Sequence, residues 1–408
     1  MSKNKNQVKL WNKNFIIIIV INFLVFLNHM MILSTFPIYI TSVLGGTDSI
    51  SGACATVFAL LAVISRPFVG WMLDRGKRKI ILVIGICGLA LIPMGYIVAG
   101  ALLTSIVLAI ICRMAHGIVF AMSNTSTSTI ATDIVPRKRF SEGMGMFGMS
   151  NALATACAPA IGEALIQTKA DGSKSFTLLF CAAIGIMVFS IILFAFLKTP
   201  KIEAQKKPLS IKGLIDKNAL PASATVLVFL LTYGALENFT LKFADASDSI
   251  TLNGGLYFTL MAVALLLTRI TVGKVADKKG EAIFVYACNA SMLAALLLLA
   301  LFPNNVTFVI SAFLSGFGFG GVEPALLAMA VSIASPEERG AANSTFLCAY
   351  DIGIGLGGGI AGVLIDLIGY NKMFAVIAIA NVLSVAVYLA IGRHHSSSVT
   401  YRIKQANK

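Results

Sequence analysis

The sequence predicts an all-α integral membrane protein with twelve transmembrane helices in two pseudo-symmetric six-helix bundles. The first observation is composition: 57% of the 408 residues are hydrophobic, 12% are charged, and the mean hydropathy is +0.87. The second is a series of apolar runs of about 20 residues, the length that a helix needs to cross a bilayer. The third is an internal repeat. Short alternating segments typical of a transmembrane β-barrel are absent from the sequence.

The predicted spans follow one another along the whole chain. They cover residues 15–40, 50–73, 80–99, 103–125, 142–166, 175–197, 221–241, 252–273, 282–302, 306–330, 341–365 and 372–392. No small-residue cleavage site follows the first span, so we expect it to be retained. All seven cysteines fall inside spans without metal-ligand spacing, and we interpret them as small apolar residues.

Basic residues are distributed asymmetrically between the connections. Lysine and arginine cluster before span one and after spans two, four, six and eight, and the formal net charge is +14. The alternate connections carry only Lys169, Lys174, Lys242 and Lys372. Because basic loops stay in the cytoplasm, both termini are predicted to be cytoplasmic in a plasma membrane. These basic loops lack base-reading aromatic partners, which argues against nucleic-acid binding.

The segment after span two is repeated after span eight. The string "SRPFVGWMLDRGKRK" aligns with "TRITVGKVADKKGE", which matches Arg66 with Arg269 and Asp74 with Asp277. A second match aligns "VPRKRFSEG" with "SPEERGAAN". The repeat predicts a bundle over 1–197, a cytoplasmic linker over 198–219 and a second bundle over 220–408 with a short cytoplasmic tail. Duplicated halves of this kind bind substrate at their interface near the bilayer midplane and rock around it.

The repeated strings carry the resemblance to a known family. "GWMLDRGKRK" resembles the loop signature of the major facilitator superfamily, although it is one residue short after Asp74, and "GKVADKKGE" repeats the signature. The chain resembles that family over essentially its full length. The resemblance implies that the loop residues act in conformational change at the cytoplasmic face; these are Gly70, Asp74, Arg75, Gly273 and Asp277.

Span five indicates the direction of transport. "GMFGMSNALATACAPAIGEAL" resembles the pattern of the drug:proton antiporter (multidrug efflux) branch, with matches at Gly145, Ala158, Pro159 and Gly162. Glu163 stands where a final glycine is expected. Small residues let helices approach closely and proline removes a backbone donor, so ordinary close packing is the alternative interpretation. The resemblance implies export in exchange for protons.

Ionisable residues inside spans are candidates for proton coupling or substrate binding, because a buried charge is costly without a partner. In span four, "CRMAHGIVFA" resembles the family pattern through Arg113, with His116 in a position that usually holds glutamine. We expect Arg113 to pair with Glu163, since a short connection joins spans four and five. The remaining candidates are Asn28, His29, Glu237, Glu323 and Asp351. Asp133 is expected to brace the loop network.

The sequence contains no enzymatic constellation. The strings "GFGFGG" and "GIGLGGG" lie in apolar spans and are interpreted as helix packing, so neither a nucleotide cofactor nor a metal is expected. We predict a monomeric, proton-coupled secondary transporter in the lipid bilayer that exports a small amphipathic or hydrophobic molecule by alternating access. The alternatives are a proton-linked transporter for one metabolite, sugar or metallophore, a lipid flippase, and a non-transporting receptor.

Overall fold

The computed structural model describes residues 10–136, 140–170, 172–198, 216–333 and 339–406. The first half of this part contains α1 (Lys13–Ser42), α2 (Asp48–Asp74), α3 (Arg78–Ile97), α4 (Ile106–Ile134), α5 (Phe140–Ala164) and α6 (Thr177–Ala195). The second half contains α7 (Leu220–Ala246), α8 (Gly254–Lys279), α9 (Ala282–Leu301), α10 (Asn305–Val331), α11 (Arg339–Ile368), α12 (Tyr370–Ile377) and α13 (Ile379–Val387). A short helix, α14 (Val399–Ala406), follows.

Smaller elements complete the chain. The π-helical turns Val98–Leu102 and Tyr388–Gly392 extend α3 and α13. Strands β1 (Gln167–Thr168) and β2 (Lys174–Ser175) pair antiparallel between α5 and α6. Most of the predicted linker, residues 199–215, lies outside the described part of the chain, so the linker remains a prediction.

The predicted fold class is confirmed. Within the described residues, ten helical segments are long and apolar enough to span a membrane, and α12 with α13 forms one of them, Tyr370–Gly392. The other two predicted spans are also helical, in α5 and α8, where the apolar part of α8 is Gly254–Arg269. The chain is therefore a helical membrane protein in which every predicted span lies on a helix.

One boundary differs clearly from the prediction. The apolar run of span four ends near residue 125, and α4 continues through the serine- and threonine-rich string 123–132 to Ile134. The hydroxyl groups of this string bond back to helix carbonyls: Ser123 Oγ donates to Val119 O at 3.0 Å, and Thr129 Oγ1 to Thr125 O at 2.8 Å. Because the hydroxyls find partners within the helix, a polar sequence continues it without a break.

The duplicated loops share a turn geometry. Gly76, between α2 and α3, has φ +78°, and Gly280, between α8 and α9, has φ +80°. Only glycine adopts this left-handed conformation without strain. Equivalent turns after the second helix of each half support the repeat that the sequence shows.

The halves contact each other along three pairs of helices and most closely at one end of the bundle. We call the end where α1 begins the terminal end, and the end where α1 leads into α2 the distal end. Between the halves, α2 packs on α11, α5 on α8 and α1 on α7. A Cβ on Gly52 would lie 2.4 Å from Gly358 O, and one on Gly255 2.4 Å from Ala160 Cα. Glycine thus allows the backbones to touch across the interface, and the distal end is closed.

Candidate functional site

Three helices of the first half bring a cluster of basic and aromatic side chains together. This central cluster consists of His29 on α1, Phe58 on α2, and Arg113, His116 and Phe120 on α4. Residues three or four positions apart share one face of a helix, which places the three α4 side chains next to one another. Arg113 and His116 have no exposed surface, and His29 is 4% exposed. The cluster is therefore enclosed by protein.

Aromatic rings hold the cluster in place. The His29 ring stacks on Phe120 with centroids 4.0 Å apart and on Phe58 at 4.8 Å. The Arg113 guanidinium lies 4.7 Å from the centre of the Phe36 ring and 4.5 Å from that of Phe58. A guanidinium over a ring face is attracted by the ring quadrupole, and burial strengthens this attraction. The rings thus stabilise the buried positive charge, which has no bonded carboxylate among the described residues.

Several polar atoms of the cluster have no hydrogen-bond partner. His116 Nδ1 lies 3.3 Å from the Tyr96 hydroxyl and 3.5 Å from Arg113 Nη1. Among the described residues, Arg113 Nε, His116 Nε2 and His29 Nδ1 are buried without a partner. Buried polar atoms are nearly always satisfied in folded proteins, so a group of orphans in one place indicates a site that binds something.

A buried carboxyl group of the second half also has an unpartnered atom. Glu237 on α7 is 3% exposed, and its Oε1 accepts a hydrogen bond from the Tyr233 hydroxyl at 3.3 Å. Its Oε2 has no hydrogen-bond partner within the described residues. Tyr233 in turn stacks on Phe319 of α10 with centroids 3.9 Å apart. Each half thus buries one ionisable side chain next to aromatic rings, and each of these side chains keeps one atom without a partner among the described residues.

The two other candidate acids pair with the repeated arginines. Arg66 Nη2 lies 2.7 Å from Asp351 Oδ2 and joins α2 of the first half to α11 of the second. Arg269 pairs with Glu323, and both of these residues belong to the second half. The repeat singled out both arginines, but the sequence pattern did not reveal their partners. Only the first of these pairs ties the halves together.

The expected pairing of Glu163 with Arg113 is not what the structure shows. The Glu163 carboxylate instead accepts hydrogen bonds from the backbone N–H groups of Gly254, at 3.2 Å, and Gly255, at the first turn of α8. Glu163 is the penultimate residue of α5, at the distal end, whereas Arg113 lies two turns inside α4. The free N–H groups and positive dipole end of α8 give the carboxylate a closer partner.

Asp366 makes the equivalent contact on the other side of the interface. Its Oδ1 accepts from Asp48 N at 3.0 Å and its Oδ2 from Ser49 N at 2.7 Å, at the start of α2. Each half thus places an acid from the end of one helix on the N-terminus of a helix in the other half. We call these two contacts the acid caps. Sequence reasoning missed Asp366; its position near the end of span eleven, matching Glu163 near the end of span five, was the available signal.

Two ion pairs reinforce the distal contact. Lys242 on α7 pairs with Asp48, which also accepts from the Tyr370 hydroxyl at 3.2 Å. Lys174 on β2 pairs with Asp245 on α7. Two of the few lysines in the distal connections are therefore used to hold the halves together.

Other predicted residues have structural contacts. The Asn28 side chain donates to Ala183 O of α6 at 3.0 Å. Within α5, Ala158 is buried, Pro159 lies inside the helix, and a Cβ on Gly162 would lie 3.0 Å from Met31 O of α1. The small residues of α5 thus let it approach α1, as the small-residue pattern predicts.

The loop residues are only partly described. Arg75 lies over the Trp71 ring at 3.9 Å, and a Cβ on Gly70 would meet no neighbour. The side chains of Asp74 and Asp277 and the surroundings of Gly145 and Gly273 are not described, so the roles of these residues remain predictions. Asp133 pairs with Arg78 at 2.8 Å, which confirms that it braces this face.

The chain matches a family model and is similar to curated proteins over most of its length. The model of the Major Facilitator Superfamily matches residues 18–247 and 225–406. The uncharacterized MFS-type transporter YhhS of Escherichia coli (strain K12) is 26% identical over 384 residues, covering 93% of this chain and 92% of YhhS.

Solved structures share the fold at low sequence identity. A mutant of the nucleoside transporter NupG superposes with a TM-score of 0.74 at 18% identity, covering 93% of this chain and 99% of NupG. A bacterial homolog of the human lysosomal transporter Spinster, in an inward-facing conformation, superposes with a TM-score of 0.71 at 15% identity, and the match covers 93% of this chain and 96% of the homolog.

Proposed function

Because the chain belongs to the Major Facilitator Superfamily and is a secondary membrane transporter rather than an enzyme, we propose that it is a proton-coupled exporter of small amphipathic molecules. The plasma membrane location and the cytoplasmic placement of the terminal end are part of this proposal. The carrying observation is that each half buries one ionisable side chain with an atom that has no hydrogen-bond partner among the described residues, Arg113 Nε in the first half and Glu237 Oε2 in the second.

The surroundings of Glu237 support the proposal of proton coupling. A carboxylate enclosed in protein needs either a proton or a cationic partner, because an isolated buried charge is strongly unfavourable. The free Oε2 of Glu237 can take a proton when the site is empty and contact a substrate when it is filled. Proton and substrate then compete for one atom. Since the halves move relative to each other, this competition couples an inward proton to an outward substrate.

The contacts of α5 support export as the direction. This helix lies between α1 and α8, where Gly162 approaches Met31 and Ala160 approaches Gly255. Close contact on both faces is what the small-residue pattern of the antiporter branch requires. A helix packed this way through small residues can slide against its neighbours with little side-chain rearrangement.

Asp351 is the second candidate for the proton carrier. Its ion pair with Arg66 is the one that crosses between the halves away from the distal loops, among the described residues. Protonation of Asp351 would release Arg66 and so loosen α2 from α11. The two candidates would have different roles. Protonation of Glu237 would control whether substrate is bound, and protonation of Asp351 would control whether the halves separate.

The test is transport by the purified protein in liposomes that contain a pH-sensitive dye, with a panel of amphipathic compounds. We expect substrate-dependent proton flux opposite in direction to the substrate. Glu237→Gln should lose uphill, pH-driven transport but keep exchange of labelled for unlabelled substrate. Asp248→Asn, at an exposed position of the distal connection, is the matched control.

Other outcomes distinguish the alternatives. Protons and substrate moving in the same direction would identify an importer. Transbilayer movement of labelled lipid without any active compound in the panel would identify a flippase. Full pH-driven transport by Glu237→Gln with loss in Asp351→Asn would assign the proton to Asp351.

A further inference from the structure

The fully buried arginine of the central cluster has no carboxylate partner. Two other arginines that are mostly buried do have one: Arg66 pairs with Asp351 at 2.7 Å, and Arg78 pairs with Asp133 at 2.8 Å. Arg113 has no exposed surface and forms no ion pair among the described residues. A buried charge without a partner of opposite sign is strongly unfavourable. An anion bound beside the guanidinium would remove this cost.

The neighbours of His116 show where its ring carries a hydrogen. The Nδ1 atom lies 3.3 Å from the Tyr96 hydroxyl and 3.5 Å from Arg113 Nη1. A guanidinium can only donate, so a hydrogen on Nδ1 would face another donor, whereas a bare Nδ1 accepts from the hydroxyl of Tyr96. The Nε2 atom therefore carries the hydrogen. It is buried without a partner among the described residues, so it is an unused donor.

Unused donors lie together on neighbouring side chains. Arg113 Nε, which always carries a hydrogen, is buried without a partner in the described chain, as is His116 Nε2. The His29 ring lies 5.6 Å from the His116 ring, and its Nδ1 also lacks a partner among the described residues and can carry a hydrogen. The place thus offers a fixed positive charge and up to three N–H groups.

This set of groups is suited to an oxyanion. Carboxylate, sulfonate and phosphate groups accept several charge-assisted hydrogen bonds, and a guanidinium recognises all three. The Phe58 ring touches each basic side chain, at 4.5 Å from the Arg113 guanidinium and with centroids 4.8 Å from His29 and 5.3 Å from His116. An apolar group attached to the anion would find aromatic neighbours here. Because the chain is a secondary transporter, a ligand reaches this enclosed place when the halves move.

We propose that the substrate carries an oxyanion on an apolar body, and that this anionic group binds Arg113 and His116 in the first half, with His29 as a third contact. The bound anion compensates the buried guanidinium and accepts the unused hydrogens. This inference rests on the proposed transport function, since it names the substrate class of that site.

The experiment measures binding to the purified full-length protein in a non-ionic detergent, where no proton gradient exists. The probes are arylalkyl carboxylates, sulfonates and phosphates. Each carboxylate is compared with its primary amide, which is neutral, and with the amine of the same body, which is a cation. Inorganic phosphate and sulfate test whether an anion binds without the apolar body. Titration calorimetry at one fixed pH gives the dissociation constants.

We expect at least one arylalkyl anion to bind, and the neutral and cationic counterparts to bind at least about tenfold more weakly, the loss of roughly one charge contact. His116→Phe keeps a ring but lacks the Nε2 hydrogen, so it should weaken binding of the anion about tenfold and change binding of the amide little. His116→Gln, which restores an N–H donor, should bind the anion more tightly than His116→Phe. His394→Phe, at an exposed position near the end of the chain, is the matched control and should bind like the wild type.

The proposal is overturned if no arylalkyl anion binds, if amides or amines bind as well as the anions, or if His116→Phe keeps the full preference for the anion. Inorganic phosphate binding as tightly as the arylalkyl anions would remove the apolar body from the proposal. Should His116→Phe fail to fold, His116→Gln and the probe series in the wild-type protein decide the result. A preference for anions in detergent without proton flux in liposomes would refute the proposed coupling while supporting this inference, and proton-coupled transport of amines alone would do the reverse.

Discussion

Individual ion pairs in this protein differ in whether they join the two halves or lie within one half. Arg66 and Arg269 occupy equivalent positions in the repeat, yet Arg66 bonds to the opposite half and Arg269 to its own half. Both pairs are half-buried, with side-chain exposures of 13% and 18% for Arg66 and Asp351. Removing one partner of a buried pair is costly because the other charge stays behind. The two arginines therefore give a matched comparison.

We predict that Asp351→Asn destabilises the protein by about 3 kcal/mol, the lower end of the range for a buried pair, since some solvent reaches it. Arg66→Gln combined with Asp351→Asn should recover at least half of this loss, because no charge is then stranded. Denaturant unfolding in detergent of the four members of the double-mutant cycle measures the coupling. A double variant no more stable than Asp351→Asn alone would show that the pair is not coupled.

At the scale of the helices, backbone contact governs the closed state. The first turn of α8 lies against α5, where Gly255 has no room for a side chain beside Ala160. Bilayer-spanning helices gain little from hydrophobic association, so close packing through small residues is a main source of their affinity. A side chain at this position would push α5 and α8 apart.

We predict that Gly255→Val opens the distal end and lowers transport at least about tenfold, a shift of roughly 1.4 kcal/mol against the closed state. Spin labels at Gln167 and Ser249, one on each half, should be farther apart in the variant than in the wild-type protein when the distance is measured by double electron–electron resonance. Gly185→Val is the control, because a Cβ on Gly185 of α6 meets no neighbour. An unchanged distance in Gly255→Val would contradict this account of the interface.

The helices could be predicted from sequence, whereas most of their contacts could not. Bilayer thickness sets the length of an apolar run, so each span follows from local composition. The cap on α8 depends on Glu163 reaching a helix 91 residues away, and the Arg66–Asp351 pair joins positions separated by 285 residues. No local pattern specifies such partners. Glu163 also shows why adjacency along the chain misled us: α4 and α5 are consecutive, but Arg113 and Glu163 lie at different depths.

For the whole molecule, the acid caps relate the two halves by approximate two-fold symmetry. Glu163 of the first half caps α8 of the second, and Asp366 of the second caps α2 of the first. A carboxylate at a helix N-terminus is worth about 0.3–1 kcal/mol when exposed and up to about 2 kcal/mol when partly buried. The two caps together favour the closed distal end by about 0.6–4 kcal/mol.

We predict that Glu163→Gln and Asp366→Asn each shift the population towards the distal-open state, and that the double variant shifts it further. The amides keep the size of the side chains but lose the charge that the helix dipole attracts. The distance between spin labels at Gln167 and Ser249 measures the shift. Equal distance distributions in the wild type and the double variant would count against the caps as a gate.

Orientation in the membrane is also testable on the whole molecule. We predict that a membrane-impermeant thiol reagent applied to intact cells labels Gln167→Cys in a cysteine-free background. Lys207→Cys, in the predicted cytoplasmic linker, should be labelled only after the cells are made permeable. The reverse pattern would place the termini outside.

The unequal distribution of contacts between the halves has a mechanical consequence. Between α2 and α11, the interface contains the Asp366 cap, the Arg66–Asp351 pair and glycine backbones in contact, and the Lys242–Asp48 pair ties α2 to the neighbouring α7. Along α5 and α8, it contains the Glu163 cap and the Gly255–Ala160 contact. Two bodies that share many contacts along one side and few along the other separate first along the side with few contacts. We therefore expect α2 and α11 to act as the hinge, and the exit to widen first between α5 and α8.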